Sequence, residues 1–492
     1  MDNPRKRKSS ADGSTLTGTS SSNLEEIRKL NENLPLLSRR VTRRQAISSV
    51  AKAAMGVAAA AVVGGGAYAA YVASQAATQA SKTTTTTSST ATTSSGEQLK
   101  FGLVSFSLSD PAPAAWRDGW VASCNALGVQ PLVFDYGFDA SKALEAVRNY
   151  AASGVQAIWV QAPTNDIIPS IAQVAEENKV YVGWIWNYLP NQEPWTYGSG
   201  KYVLFNRDVD GIFDHRVPAR AVFQYMKNEG KGNGKAFLIS GRQGQILSNV
   251  RDYAVWYEWT KFYPDVDLRG FLYGQWSIEP AIDATNQMVA KHGNPDGCIG
   301  ANDAIAIGMA RALDAFNVKV PTAGSDAQLP ALKIMLEGKG FPIIVDAGFN
   351  LAYDGGASAA MFYDVVKGSW YPKDGERIQV CGMIGLANDV DKTKALLGDL
   401  VTQFPYKWFS VQDYQDQVIN KPPGPWNWKA MSIAKAEAEG ITFDRTGGGA
   451  FGSTVYPVSQ TPFGSTDKFN QLYQDQQNKT PSDYWGDRAN NG

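Results

Sequence analysis

From Leu99 onward the chain alternates short apolar runs with amphipathic segments of about a dozen residues, which are the patterns of strands and helices. Strands are predicted over 100–106, 131–134, 157–160 and 180–186. Helices are predicted over 114–127, 140–152 and 167–178. Successive strands joined by helices must run parallel, because a parallel pair needs a crossover between its strands. The first part of this region therefore predicts a parallel sheet covered by helices on both faces.

A second series of the same kind follows without a break in the pattern. Its predicted strands are 235–239, 268–273, 298–300, 321–324 and 343–346, each followed or preceded by a helical segment. Two series of similar length predict two α/β lobes with a cleft between them, and ligands of such sheets sit at the carboxyl ends of the strands. Neither series opens with a glycine-rich phosphate loop, which argues against a nucleotide cofactor.

The first hundred residues differ in charge from the rest of the chain. Residues 1–95 carry 12 Lys and Arg against 5 Asp and Glu, whereas the other 397 of the 492 residues carry 34 against 42. Residues 1–41 are polar and basic, which predicts a disordered tail. Thirteen of the 15 residues in 81–95 are Ser or Thr, and this composition predicts an extended linker over 81–97.

Between the tail and the linker, Arg43 and Arg44 precede a stretch without charge that runs from residue 53 to residue 81. Residues 42–80 thus resemble a twin-arginine export signal. As a helix, residues 53–73 would span about 31 Å, close to the hydrocarbon thickness of a bilayer. Ala67-Tyr68-Ala69 fits a cleavage site, so removal of the signal and its retention as a membrane anchor are both open. The long linker favours the anchor.

Composition also limits the chemistry of the body. Its acidic balance argues against nucleic acid as a partner, because binding phosphates needs a basic face. The three cysteines, Cys124, Cys298 and Cys381, allow one disulfide at most. The two histidines, His215 and His292, are too few for a His-rich metal site, and they argue against most catalytic triads. We therefore expect no metal, no cofactor and no catalytic residue.

Five segments carry a resemblance to a known family: 100–111, 158–166, 249–254, 300–313 and 323–326. The most specific is 300–313, in which Asn302-Asp303 stands between a predicted strand and a predicted helix. In order and spacing these segments resemble the type I periplasmic binding proteins, in particular the ribose-binding-like sugar receptors of ABC transporters. The resemblance spans residues 100 to about 386. It implies two doubly wound, Rossmann-like lobes joined by a hinge of several strands.

The resemblance implies that five residues face the cleft: Asp110, Arg251, Trp276, Asn302 and Asp326. Trp186 and Asn187 stand where the family carries two further ligand-facing residues. A polar hinge-strand residue of the family falls near Phe349 or Asn350, and Asn350 is the polar one of the two. Planar Asp, Asn and Arg groups can grip sugar hydroxyls, while an aromatic face covers the apolar side of a sugar ring. Each position also has a purely structural interpretation. Asn302 and Asp326 can cap the helices that follow them, Arg251 can lie on a helix surface, and Trp276 can belong to the core.

The chain departs from the pattern of the sugar receptors at two places. It has Trp186-Asn187 where they carry an Asp-Arg pair, and Ala112 and Pro113 where they carry two aromatic residues. We therefore expect one aromatic wall of the site to have moved from the first loop to Trp186. The loss of the ionic pair argues against a simple pentose or hexose and favours a larger, less polar or derivatised ligand.

The lobes are expected to exchange segments along the chain. Residues 98–204 and 350–378 are assigned to the first lobe, and residues 205–349 and 379–410 to the second. Residues 411–492 continue beyond the length of the family as an extension rich in Trp, Pro and Gly. Such an extension can wrap the lobes, close part of the cleft or form a docking surface.

These observations predict an exported solute receptor at the outer face of the membrane or in the periplasm. It would act as a monomer, close its lobes on a sugar-like ligand and deliver that ligand to an ABC transporter permease. If the signal is uncleaved, the N-terminal segment holds the protein to the membrane. One alternative is a sensor that presents its ligand to a signalling partner. A second is an enzyme with Asp135 and Asp326 as acid and base, which no nucleophile or metal pattern accompanies.

Overall fold

The structure is a computed structural model that describes residues 98–186, 193–209, 211–338, 343–348, 351–374, 377–381, 383–403, 407–416 and 455–457. The predicted tail, signal and linker within residues 1–97 lie outside the described residues. The strands that are described form two seven-stranded sheets, each flanked by helices. We call each sheet with its helices a lobe.

The sheet of the first lobe has the strand order β2-β1-β3-β4-β5-β11-β14. All neighbouring strands are parallel except β14, which is antiparallel to β11. The strands are β1 Lys100–Ser105, β2 Gln130–Asp135, β3 Ala157–Val160, β4 Tyr181–Ile185, β5 Val203–Val209, β11 Ile378–Cys381 and β14 Val455–Pro457. The helices are α1 Pro111–Ala126, α2 Ala140–Ala152, α3 Ile168–Asn178 and α9 Leu351–Lys367.

The sheet of the second lobe has the order β7-β6-β8-β9-β10-β12-β13, with β12 antiparallel to β10. Its strands are β6 Lys235–Ser240, β7 Asp267–Tyr273, β8 Gly297–Gly300, β9 Thr322–Asp326, β10 Ile343–Gly348, β12 Ile384–Ala387 and β13 Trp408–Ser410. Its helices are α4 Gly211–Asn228, α5 Ile246–Phe262, α6 Ile278–His292, α7 Asp303–Asp314, α8 Leu329–Glu337, α10 Val390–Leu397, α11 Leu400–Gln403 and α12 Val411–Tyr414.

The middle strands explain why the apolar runs are short and continuous. Every residue of β3, β8 and β9 is buried, as is typical of parallel strands that helices cover on both faces. In the first lobe, Trp116 of α1 stacks on Trp159 of β3 with the ring centroids 5.4 Å apart. Helices α1 and α9 pack closely, because a Cβ on Gly119 would lie 1.7 Å from the carbonyl oxygen of Ala352. The large aromatic residues of this lobe therefore build its core.

Between the described strands, the chain passes from one sheet to the other after β5, after β10 and after β11, and it passes once more between β13 and β14. The first three passages form the expected hinge. They lie at the carboxyl ends of strands of both sheets, on the same side as the loops that follow β1, β4, β7 and β9. The fold therefore brings the loops of both lobes to one cleft.

Two of the predicted lobe boundaries need correction. The boundary expected after residue 204 would divide β5, and the one after residue 378 would divide β11, although these two strands pair with each other in parallel. The apolar pattern does not predict β5, because Asn206-Arg207-Asp208 interrupts it. Arg207 is nevertheless fully buried, since Asp354 of α9 pairs with it at 2.6 Å. The buried Arg207–Asp354 ion pair thus allows a polar sequence, which is typical of a loop, to form a strand of the first sheet.

The C-terminal extension contributes to both lobes where it is described. Its helix α12 packs beside α8 in the second lobe, and its strand β14 forms the edge of the first sheet. Among the described residues, no helix combines the length and the apolar character that crossing a bilayer requires.

Candidate functional site

The cleft between the lobes contains a pocket of about 610 Å³, a volume that includes its opening to solvent. Six of the eight predicted site residues line it. Asn187 and Asn350 lie outside the described residues. The lining comprises Phe106, Asp110, Pro111, Ala112, Pro113, Ala162, Trp186, Gln245, Leu247, Arg251, Trp276, Asn302, Asp326 and Gln328.

The backbone around this cavity is unusually strained. Of the nine non-glycine residues with positive φ among the described residues, seven lie at or just after the carboxyl ends of β1, β2, β4, β7 and β9. Three of them are predicted site residues: Trp186 with φ 64°, Trp276 with φ 62° and Asp326 with φ 105°. Such conformations cost about 1–3 kcal/mol each and persist only where the surrounding structure holds them, which is common at ligand sites.

Arg251 is the cation of the cavity wall, and two aspartates balance its charge. Its Nη2 lies 2.5 Å from Asp214 Oδ2 and 2.7 Å from Asp326 Oδ1, and its Nη1 donates to the carbonyl of Ala301 at 2.6 Å. Burial raises the pKa of Asp326, although Arg251 opposes that effect. The interpretation of Arg251 as a surface residue is wrong, because only 1% of it is exposed. It organises a buried charge cluster at the cavity wall.

Trp276 lies between that charge and the opposite lobe. Its ring centroid is 5.6 Å from the guanidinium carbon of Arg251, and its indole N–H donates to Gln245 Oε1 at 2.5 Å. The ring lies directly against the backbone, since a Cβ on Gly241 would come within 2.2 Å of it. The orientation of the indole is therefore fixed by a cation, an amide and a glycine.

Asn302 caps a helix and also faces the cavity, which are the two roles that the sequence allowed. Its Oδ1 accepts from the backbone N–H of Ile305 at 2.9 Å, which is an N-cap for α7, and its Nδ2 donates to the carbonyl of Trp276 at 3.3 Å. The residue also lines the cavity. The cap therefore leaves one hydrogen of the amide for a ligand, while the other helps to hold the Trp276 backbone.

Among the residues that the structure describes, three contacts link the two lobes across the cleft. Asp110 Oδ2 accepts from Ser277 Oγ at 2.8 Å, and Gln245 Nε2 donates to the carbonyl of Pro163 at 2.9 Å. The guanidinium carbon of Arg242 lies 4.6 Å from the ring centroid of Phe138. We call these contacts the latch. Burial also raises the pKa of Asp110. Hydrogen bonds from Ser107 and Ser277 lower it in part, and the charge of nearby Asp135 raises it further.

The first lobe supplies an aromatic wall. Phe106 lies 6.0 Å from Trp186 and 4.8 Å from Phe138 between ring centroids. The expected shift of this wall to Trp186 agrees with its place in the cavity, but the sequence reasoning missed Phe106. It stands one residue beyond β1, and the period-2 alternation of a strand does not indicate which end residues reach a ligand.

Two other lining residues, Gln245 and Gln328, were also missed. Each directly precedes a helix, a position where a polar residue usually reads as a cap. Neither makes a side-chain cap in the structure. The sequence signal that could have placed them in the site was their position after a strand of the sheet, since their residue type gave none.

The acid–base alternative finds no geometric support. Asp135 is exposed and does not line the cavity; its two oxygens accept from the backbone N–H groups of Leu108 and Gly137 at 2.8 and 2.9 Å. Within the described part of the chain, no group of three or more His, Cys, Asp or Glu residues is arranged to hold a metal ion. Cys124 and Cys298 are buried free thiols.

A comparison with family models decides the classification. Residues 101–369, more than half of the chain, match the periplasmic binding protein domain. The chain belongs to this family. Its members are ligand carriers and not enzymes, and they work outside the cytoplasm, so this periplasmic binding protein is a solute-binding protein. The predicted type I fold with two Rossmann-like lobes is confirmed.

Solved structures agree with the fold at low sequence identity. A twin-arginine translocation pathway signal protein from Burkholderia phytofirmans is 18% identical with a TM-score of 0.54, over 62% of this chain and 94% of that one. An ABC transporter solute binding protein from Actinobacillus succinogenes with bound D-allose is 17% identical with a TM-score of 0.51, over 61% and 100%. A Mycobacterium smegmatis protein in complex with β-D-fucofuranose is 15% identical with a TM-score of 0.51, over 62% and 96%. No curated protein matches the chain significantly.

Proposed function

We propose that this protein captures an uncharged sugar or sugar-like molecule in the cleft and delivers it to an ABC transporter permease. The observation that carries the proposal is the pairing of planar polar groups with aromatic faces in one cavity. Asp110, Asp326 and Asn302 offer acceptors and an amide for hydroxyl groups, and Trp276 and Trp186 offer rings for the C–H face of a sugar. Structural neighbours that contain D-allose and β-D-fucofuranose support the same ligand class.

The charges of the cavity narrow the ligand further. Among the lining residues that the structure describes, Arg251 is the only cation and already pairs with Asp214 and Asp326. Asp110 adds a carboxylate whose hydrogen-bond donors, Ser107 and Ser277, are neutral. An anionic ligand would therefore enter a wall of excess negative charge in a site partly removed from water, which is unfavourable.

Matched pairs of sugars test this proposal by thermal shift. The lost Asp-Arg pair favours a derivatised sugar, but the neighbours with D-allose and β-D-fucofuranose make simple neutral sugars the first ligands to test. We expect D-allose, D-galactose, D-fucose or an uncharged derivative of one of them to raise the melting temperature, since a ligand at 100 times its Kd adds about 2.7 kcal/mol to stability. D-galacturonate, which differs from D-galactose by a carboxylate, should give no shift. Stabilisation by the acidic sugar alone would contradict the proposal.

Lobe closure is the proposed mechanism of capture, and Gln245 is placed to control it. Gln245 is hydrogen-bonded to Trp276 of its own lobe and to Pro163 of the other lobe. Its side chain therefore holds the Trp276 indole in place and also links the two lobes in their closed arrangement. Gln245→Ala should increase the radius of gyration in X-ray scattering. It should also weaken sugar binding about fivefold, because a smaller closed fraction lowers the apparent affinity in proportion.

Gln173→Ala is the matched control for this change. Gln173 makes an exposed hydrogen bond to Glu177 within α3, away from the cavity. This variant should keep the dimensions and the affinity of the wild type. Equal scattering profiles for Gln245→Ala and the wild type would contradict a role of the latch in closure.

The N-terminal segment completes the proposal. The basic tail, the twin-arginine-like stretch and the Ser/Thr linker are the order expected of a receptor exported and then held at the outer face of the membrane. Mass spectrometry of the membrane-bound protein tests this: residues 42–80 should be present, and a mature protein that begins after residue 69 would contradict the anchor.

A further inference from the structure

Two aspartates that do not line the cavity hold the loop that does. Asp303 is the first residue of α7, and Asp346 lies in β10; both are fully buried. Asp303 Oδ2 accepts from the backbone N–H of Gln328 at 2.7 Å, and Asp346 Oδ1 accepts from the backbone N–H of Ala327 at 3.2 Å. These two amides directly follow Asp326. The aspartate pair therefore anchors the segment 326–328.

Each aspartate of the pair has a second carboxylate oxygen, and neither of these oxygens, Asp303 Oδ1 and Asp346 Oδ2, receives a hydrogen bond from the described residues. The two side chains lie close together, because Asp346 pairs with Gly324 in the sheet and a Cβ on Gly324 would lie 2.8 Å from Asp303 Oδ1. Two ionised carboxylates contain no hydrogen to share, and buried together they repel each other. One proton between them would satisfy both oxygens and remove the repulsion.

The charged groups around the pair do not supply the neutralising charge. Arg251 of α5, the cation of the cavity wall, is paired with Asp214 of α4 and Asp326. His215 of α4 stays neutral near pH 7, because burial lowers its pKa. Tyr414 of α12 is also near Asp346, and burial raises its pKa, so it adds no charge.

Burial and these neighbouring carboxylates act in the same direction on the pair. Burial, followed by the charges of Asp346 and Asp326, raises the pKa of Asp303 well above its usual range. Burial also raises the pKa of Asp346 to about 7, with Asp326 and Asp214 adding to it. The pair titrates as a unit, so the loss of its proton is expected near or above neutral pH.

We propose that Asp303 and Asp346 share one proton and act as positioning residues for the segment 326–328, whose Asp326 and Gln328 side chains line the cleft. This inference rests on the proposed sugar-binding function. Asp326 needs such support, because its φ of 105° is a strained conformation for an aspartate. When the proton leaves, repulsion separates the two carboxylates, and the backbone amides that they hold move with them.

The first test is the pH dependence of binding. The probe is whichever of D-allose, D-galactose and D-fucose gives the largest thermal shift. Between about pH 6 and about pH 8.5 we expect wild-type affinity to fall about fivefold or more, a typical size for coupling between two sites. Asp346→Asn supplies the missing hydrogen permanently through its amide, so this variant should keep the low-pH affinity throughout.

A second variant separates positioning from folding. Asp346→Ala leaves the amide of Ala327 and the carboxylate of Asp303 without this partner, so affinity should be low at every pH. The same pH profile in Asp346→Asn as in the wild type would overturn the proposal.

A measurement without any sugar keeps this inference distinct from the proposed function. The infrared difference spectrum between wild type and Asp346→Asn at about pH 6 should contain the C=O band of a protonated carboxyl group. In the unfolded protein the two aspartates have a pKa of about 3.9 and lose their protons above that pH, whereas the folded pair keeps one proton. The free energy of unfolding of the wild-type protein should therefore fall as the pH rises from about 4 through about 7. If no sugar binds but the band is present, the proposed function fails and the shared proton stands. Absence of the band overturns the shared proton.

Discussion

Arg251→Met should lower the free energy of unfolding by about 3–5 kcal/mol, the usual cost of removing one partner from a buried ion pair. Arg251 is 1% exposed and neutralises both Asp214 and Asp326, which are themselves buried. Methionine fills a similar volume but leaves two carboxylates facing each other without a cation. Urea unfolding followed by circular dichroism measures the loss.

Arg269→Met is the control for this prediction. Arg269 of β7 pairs with Asp267 at 2.9 Å, but both side chains are about one-third exposed, so the pair is worth at most about 1 kcal/mol. Equal destabilisation by the two substitutions would show that the buried cluster around Arg251 does not contribute as the geometry indicates.

Trp276→Ala should weaken sugar binding at least tenfold, or about 1.4 kcal/mol or more, because aromatic residues in well-packed pockets tend to dominate binding energy. The indole is fixed by Arg251, Gln245 and Gly241, so a ligand meets an already oriented ring. Calorimetric titration with the best neutral sugar of the thermal-shift panel gives the Kd. Trp276→Phe keeps an aromatic face and should lose less.

Trp184→Phe separates this effect from general loss of stability. Trp184 is 1% exposed in β4 and packs against Tyr197 with the ring centroids 5.8 Å apart, outside the cavity lining. It should lower the melting temperature and leave the Kd unchanged. An unchanged Kd in Trp276→Ala would remove Trp276 from the site.

The sequence predicts the two sheets well, because buried parallel strands and amphipathic helices leave distinct periodic patterns. It fails at β5, where burial of Arg207 depends on Asp354, which lies 147 residues further along the chain. Such a pairing has no local signal. The lobe boundary expected after residue 204 is wrong for the same reason.

The candidate site was predictable where topology and residue type agree. Asp110, Asn302 and Asp326 each stand where a strand gives way to a helix, which is where ligands of such sheets bind. The position of Gln245 after a strand was a signal, but its link to the other lobe and the role of the Asp303–Asp346 pair were not predictable, because these depend on contacts between distant parts of the chain. Gln245 touches the other lobe, and Asp346 reaches the amide of Ala327 from a different strand.

A crystal structure of the protein with the best neutral sugar tests the central claim most directly. We expect the sugar ring in the cleft against the face of Trp276, with hydroxyl groups within hydrogen-bond distance of Asp110 and Asp326. A sugar bound outside this cavity, while Asp110, Trp276 and Asp326 make no contact with it, would contradict the account.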